Sequence, residues 1–330
     1  MIKIGNISTN AGELKWGNLH CGFLANGQAV QIPLFIVHGS KPGPTLFLNG
    51  VIHGREIPAI EILRKICREE INPQNLSGTI LAVPICNPLA FEAVEHHALQ
   101  DDKNMNMVRG INPKGSITEK MIHVLLSEIL FRSDYLIDMH SNYHLGIEFS
   151  VVTPCRNKAV LERSLKLADL FGYPVVELKR SQFGFENSLI AYAQDKGIPA
   201  CIVEFLGTNI IIKKSVESGI LGVKNVLRHL KMIPGPVHVS KDNPAQGIYC
   251  YFYNILVENA GILTLDVKPG DLVKKGQTLG VVRDAFGNIL ENIISPYLAY
   301  IRNIPVIHKI NSGMSPLVLL VIEPKKNLWK

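Results

Sequence analysis

Between about residue 30 and residue 233, short apolar runs alternate with amphipathic stretches, and few folds accommodate that rhythm. The runs "TLFLNGV", "TILAVPICN", "DYLIDMH", "EFSVVTP", "PVVEL" and "PACIVEFLG" are strand-length, and several are almost continuously apolar, as strands covered on both faces by helices should be. Between them lie "IPAIEILRKICREEI", "TEKMIHVLLSEILF", "KAVLERSLKLADLFG", "NSLIAYAQDKG" and "SVESGILGVKNVLRHLKMI", all helix-like in period. Ser116 and Glu119 fit a capping box before the second of these, and Gly172 fits a stop after the third. The pattern predicts an α/β domain over residues 1–233 with a mostly parallel central sheet.

The rhythm ends at "PGPVHVSKDNPAQG", residues 234–247, which reads as a linker. Beyond it, "GILTLDVKPGDLVKKGQTLGVV" breaks into short alternating strands at Pro-Gly and Lys-Gly turns, predicting a small all-β domain over residues 248–330. Two domains suit a chain of 330 residues, and a composition that is 47% hydrophobic and 19% charged is that of a compact globular protein.

The formal charge of +6 is spread over scattered Lys and Arg residues, with only pairs such as Lys213-Lys214, Lys274-Lys275 and Lys325-Lys326, so no nucleic-acid footprint is expected. The six cysteines are widely spaced without a CxxC pair, and Cys86 and Cys201 sit inside apolar runs as small hydrophobes. "MIKIGNISTNAGELKWG" lacks the apolar core of a signal peptide, and no run approaches the roughly 18 apolar residues of a membrane span. A reduced, cytoplasmic setting without membrane attachment is the expectation.

Polar residues interrupt the strand-like runs at their carboxyl ends, where open α/β sheets place their ligands. His53 and Glu56 follow "TLFLNGV" in a turn that also carries Gly50 and Gly54, His140 follows "YLIDM", and Glu204 stands near the end of "PACIVE". Two His and one Glu are the ligand set of a catalytic zinc site of the carboxypeptidase A type, whose fourth position stays open to water. An isolated His-x-x-Glu is more often a hydrogen-bonded bystander, but its strand-turn-helix setting and glycines favour metal, with His140 the natural third ligand. Asp138 reads either as a carboxylate supporting His140 or as an ordinary strand-end residue. Glu204 reads either as one half of an ion pair or as a general base beside a metal-activated water.

The order "NGVIHGREIPA", "NPLAFEA", "NMNMVRGINPKGSITEKMIHVLLSEIL", "YLIDMHS" and "GIPACIVEFLG" resembles the succinylglutamate desuccinylase/aspartoacylase family of zinc deacylases, relatives of the zinc carboxypeptidases. "VKPGDLVKKGQTLGVVRDAFGN" looks like the carboxy-terminal β domain of its bacterial branch, a module similar to barrel-sandwich folds. The resemblance implies a zinc-carboxypeptidase-like fold, one Zn2+ held by His53, Glu56 and His140, Glu204 as general base and proton shuttle, and a small-molecule N-acyl substrate. It implies a substrate-binding role for Asn106, which matches the Asn of an Asp-Leu-Asn-Arg motif.

Two arginines of the family pattern are missing. Met107 stands where the family has a carboxylate-binding Arg, and His96 stands near the position of an upstream Arg that polarises the scissile carbonyl. Met cannot supply a bidentate, permanently charged fork. His96 and Arg109 are the candidate replacements. The expected activity is zinc-dependent cleavage of a linear amide C–N bond in an N-acyl amino acid or N-acyl amine. The alternatives are a zinc carboxypeptidase, disfavoured by Met107, and a non-hydrolytic zinc- or ligand-binding relative. A swinging-arm carrier role for the β domain is disfavoured because "SPYLAYI" places no Lys at a hairpin tip.

Overall fold

The computed structural model describes residues 1–108, 112–142, 145–178 and 185–322. Strands β1 (Ile2–Ile4) and β2 (Ile7–Thr9) pair as a short ribbon, and β3 (Glu13–Phe23) and β4 (Ala29–His38) form a long hairpin. Then come β5 (Lys41–Gly50), α1 (Pro58–Lys65), β6 (Ser77–Val83), α2 (Pro88–Ala93), α3 (Ile117–Val124) and β7 (Tyr135–Asn142). The α/β part closes with β8 (Phe149–Val152), α4 (Lys158–Asp169), β9 (Val175–Glu177), α5 (Leu189–Asp195), β10 (Ala200–Leu206) and α6 (Lys213–His229). Eight strands follow: β11 (Tyr249–Ile255), β12 (Gly261–Leu265), β13 (Leu272–Val273), β14 (Thr278–Arg283), β15 (Ile289–Ile294), β16 (Ala299–Asn303), β17 (Lys309–Ile310) and β18 (Leu317–Ile322).

Among the described residues, twelve strands join one sheet in the order β13-β16-β18-β11-β9-β8-β10-β7-β5-β6-β4-β3. The sheet is mixed, which corrects the expectation of a mostly parallel one. Its centre, β10-β7-β5-β6, is parallel, but β4 runs antiparallel to β6 and to β3, and β8 runs antiparallel to β10. A parallel neighbour needs a crossover of about a dozen residues or more. Only residues 143–148 separate β7 from β8, too few for a helical crossover, so the chain returns the other way.

Alternation along the central strands sorts their side chains onto two cores. Leu46 and Leu48 of β5, with Ile137, Met139, Val203 and Phe205, pack under α1 and α6. Phe47, Leu81, Leu136 and Ile202 face the other way and meet Met121, Ile122 and Leu125 of the α3 segment and Leu189 and Ile190 of α5. Asn49, Asp138, His140 and Glu204 continue this second face beyond its apolar rows, so the site sits at the carboxyl ends of the strands. The Ser116 backbone donates to Glu119 Oε2 at 2.6 Å, as the capping box requires.

In the carboxy-terminal part, β11, β18, β16 and β13 extend the large sheet, while β15-β14-β12-β17 form a separate four-stranded sheet. A third core lies between these two layers, drawing Ile301, Leu319 and Val321 from one and Leu263, Val282 and Ile293 from the other. Arg302 of β16 joins this part to the α/β core. Its guanidinium stacks on the rings of Phe149 at 4.7 Å and Phe252 at 4.9 Å, and its carbonyl accepts from the Ile147 N–H at 3.0 Å. Among the described residues, no helix is long and apolar enough to cross a membrane.

Candidate active site

The turn after β5 is pinned from several sides. Val51 takes a left-handed backbone (φ 53°), a strained conformation for a β-branched residue. Backbone N–H groups of Cys86 and Asn87 donate to the carbonyls of Gly50 and Val51 at 3.0 and 3.1 Å, and Asn87 Nδ2 donates to the Ile52 carbonyl at 3.2 Å. Gly54 rests directly on α2: a Cβ there would stand 1.9 Å from the Ala90 carbonyl oxygen. Glycine is therefore required where the turn presents its imidazole, and the packed α2 segment fixes where His53 points.

His53 and Glu56 close a tight turn, with the Glu56 N–H donating to the His53 carbonyl at 3.1 Å. Glu56 Oε1 lies 2.8 Å from His53 Nδ1 and 3.1 Å from His140 Nδ1. Burial works to raise the Glu56 pKa, but the charges of His140 and then His53, with hydrogen bonds from both, outweigh it and hold the carboxyl below its usual range. On its other side, His140 Nε2 meets Asp138 Oδ2 at 3.1 Å, and Asn49 Nδ2 donates to Asp138 Oδ1 at 2.8 Å. Burial alone would lower the His140 pKa, yet Glu56 and then Asp138 raise it well above the ordinary value. A buried imidazole between two carboxylates wants a positive charge at Nδ1, which a proton or a metal ion can supply.

Three observations test whether a metal fits. Ligand atoms of His53, Glu56 and His140 all lie within 4.8 Å of one another, and a tetrahedral zinc with bonds of about 2.0–2.1 Å spaces its ligands roughly 3.4 Å apart. His53 Nε2 is buried with no hydrogen-bond partner among the described residues, a cost that is unusual in a settled core. Asp138 occupies the distal nitrogen of His140, the arrangement that orients a ligating imidazole. The residues fit.

Register brings the fourth group in. In the parallel β7–β10 pair, Glu204 is the direct partner of His140, so both project to one face. Burial raises the Glu204 pKa; His140 opposes that rise, and Glu56 adds to it. The His96 ring stands edge-on to His53, with centroids 3.7 Å apart and an interplanar angle of 82°. Burial, and next the charge of His53, push the His96 pKa down to about 4.

These groups share a cavity of about 230 Å³ whose lining includes His53, Glu56, His96, Asn106, Met107, His140 and Glu204. Asn106 Oδ1 accepts from the Leu189 N–H at 3.0 Å, which ties the Met105–Met107 turn to the amino end of α5. Arg109 lies outside the described residues. Sequence reasoning missed Ile202, Phe185, Ser188 and Asn104 in the lining. Ile202 was accessible by strand period, two residues before Glu204, and Ser188 by its position as the amino-terminal cap of α5. A larger hollow of about 690 Å³ opens at the opposite, amino ends of the strands, near Tyr135 and Pro199, away from these groups.

The family model for the succinylglutamate desuccinylase/aspartoacylase catalytic domain matches residues 42–230, more than half of the chain and the segment that carries all four groups. The chain belongs to this family. It is accordingly a deacylase, a hydrolase of linear amide bonds. An N-alpha-acetyl-L-2,4-diaminobutyric acid deacetylase of Halomonas elongata is 28% identical over 269 residues, covering 78% of this chain and 75% of the relative. Among solved structures, a succinylglutamate desuccinylase/aspartoacylase from Rhodobacter sphaeroides superposes with a TM-score of 0.81 at 20% identity, covering 97% of this chain and 99% of the other. The product-bound ectoine utilization protein EutE (DoeB) from Ruegeria pomeroyi gives a TM-score of 0.81 at 21% identity, over 96% and 97% of the two chains. At that identity these structures speak to the fold.

Proposed function

We propose that this chain is a zinc-dependent amidohydrolase that removes an acyl group from the nitrogen of a small molecule. The observation that carries the reading is the meeting of His53, Glu56 and His140 with Glu204 in one cavity at the carboxyl ends of the central strands. Two His and one Glu are the donor set that a catalytic zinc site of the carboxypeptidase A type would use.

His53, Glu56 and His140 would hold the ion, with Asp138 orienting His140. A bound zinc supplies Lewis acidity toward the acyl carbonyl and makes water acidic enough to attack at neutral pH. Glu204 accepts the proton of the attacking water and returns it to the amine nitrogen as the C–N bond breaks. His96 stands over His53 at the cavity wall, where an N–H can meet the developing oxyanion, and Asn106 orients the substrate. The six cysteines are free, five of them buried, in keeping with a reducing, cytoplasmic setting. Beyond a linker at 234–247, the carboxy-terminal β part is joined to the α/β part by the pairing of β11 with β9 and by the Arg302 stack.

The test is a panel of N-acylated amino acids, diamines and polyamines incubated with the zinc-loaded protein. Release of free amine from at least one member, lost on chelation, is expected. No turnover of any member would contradict the reading and leave a zinc- or ligand-binding relative.

A further inference from the structure

The carboxy-terminal β part reaches the site at second hand. Among the described residues, the cavity lining runs from His53 to Glu204 and takes no side chain from beyond β10. Strand β16 nevertheless lies along the segment that leads into β8. The Ile147 N–H donates to the Arg302 carbonyl at 3.0 Å, the Ile304 N–H donates to the Leu145 carbonyl at 3.1 Å, and Gly146 bridges to Asn303 in the antiparallel sense.

Phe149 stands between this strand and the base. In the antiparallel β8–β10 pair it is the direct partner of Glu204, just as His140 is on the other side of β10, so the three side chains form one row on one face. Glu204 thus has a candidate metal ligand on one flank and a phenyl ring on the other. The ring gives a carboxylate no hydrogen bond, and its place limits where that carboxylate can swing. The ring is held in turn. The Arg302 guanidinium stacks on Phe149 at 4.7 Å and on Phe252 at 4.9 Å, and the two rings meet edge-on with centroids 5.3 Å apart. The charge of Arg302 is felt at Glu204: burial raises the Glu204 pKa, and Arg302 is among the charges, after His140, that oppose the rise.

A general base works only within hydrogen-bond reach of the proton it takes, and a misplacement of about 1 Å can cost roughly 100-fold in rate. Glu204 reaches its place through a flexible side chain, so the groups that flank it set its precision. Resting on the deacylase reading above, we infer that Arg302 is a positioning residue for Glu204: stacked on Phe149 and Phe252, it holds the Phe149 ring against the base and so keeps the Glu204 carboxylate on the metal side of the cavity. The carboxy-terminal β part takes part in turnover through this clamp, while Glu204 performs the proton transfer.

Kinetics of Arg302 variants, measured on the panel member that zinc-loaded wild type cleaves fastest, test the clamp. Arg302→Ala removes the guanidinium and leaves both rings. Its kcat is expected to fall roughly 10- to 100-fold, as for a base out of line, while KM stays within about twofold and zinc content stays at the wild-type level. Added methylguanidine, a match for the removed head group, is expected to restore part of the lost kcat in a saturable way, and the uncharged N-methylurea of the same shape is expected to restore none. A side chain that served stability alone would lower the unfolding temperature and leave the kcat of the folded enzyme unmoved. Should Arg302→Ala fail to fold, Arg302→Gln, which keeps part of the stem and a planar head without charge, is expected to show the same loss of kcat with zinc retained. A kcat within about threefold of wild type in the folded variant, or a loss in Arg302→Ala that methylguanidine does not restore, would overturn the inference and leave the deacylase reading intact. Wild type that cleaves no member of the panel would overturn both.

Discussion

At one end of the cavity, His53, Glu56 and His140 are held by a pinned turn and a strand, whereas at the other Met107, Phe185 and Ser188 come from short turns between elements. The two ends differ in exposure accordingly: His140 is 3% exposed and Glu56 6%, against 44% for Met107. At the first end the polar groups are interlocked, from Asn49 through Asp138 and His140 to Glu56 and His53. The second has a tie through Asn106 to α5. Strand register and the pinned turn thus bring the polar groups together, while the facing wall comes from short turns.

The sharpest way to break this comparison is to remove the base without disturbing either end. Glu204→Gln keeps the size of the side chain and removes its proton-accepting capacity, so kcat should fall roughly 100-fold or more with zinc content unchanged. Activity within about threefold of wild type would make Glu204 a structural residue. Next in size is Asp138→Asn, which touches no ligand atom directly. Losing the carboxylate behind His140 should weaken zinc binding by about 10- to 100-fold, read by competition with a chelator of known affinity. Unchanged affinity would show that His140 needs no supporting charge. The smallest effect belongs to the substrate end. Asn106→Ala leaves the Leu189 N–H at the amino end of α5 without its acceptor, a loss of about 1–2 kcal/mol in denaturant unfolding. Zinc content should stay at the wild-type level; zinc lost along with stability would mean that the two ends are one cooperative unit.

The same division explains what could be read from the sequence. The central strands were legible because their apolar runs are short and bounded by turn residues. The four groups were legible because each interrupts such a run at its carboxyl end. His140 and Glu204 need only strand period and parallel register to meet, and both are local properties. The hairpin of β3 and β4 was not anticipated, because "ELKWGNLHCGF" intersperses exposed polar residues such as Lys15, Asn18 and His20 and has few buried apolar positions. The parallel expectation failed at β8 and β4, where connection length and pairing partner set strand direction and apolar content says nothing about either. Phe185 gave no signal at all: it reaches the cavity from a three-residue helical turn whose place depends on the folding of everything around it. Arg302 was similarly silent, since only the folded chain brings β16 against Phe149.

The central claim is that His53, Glu56 and His140 form a zinc site, and elemental analysis of the natively purified protein after exhaustive dialysis tests it most directly. About one zinc per chain is expected, as a site with three protein ligands implies. Native protein that carries no metal, and that takes up none when zinc is added and the excess removed, would contradict it.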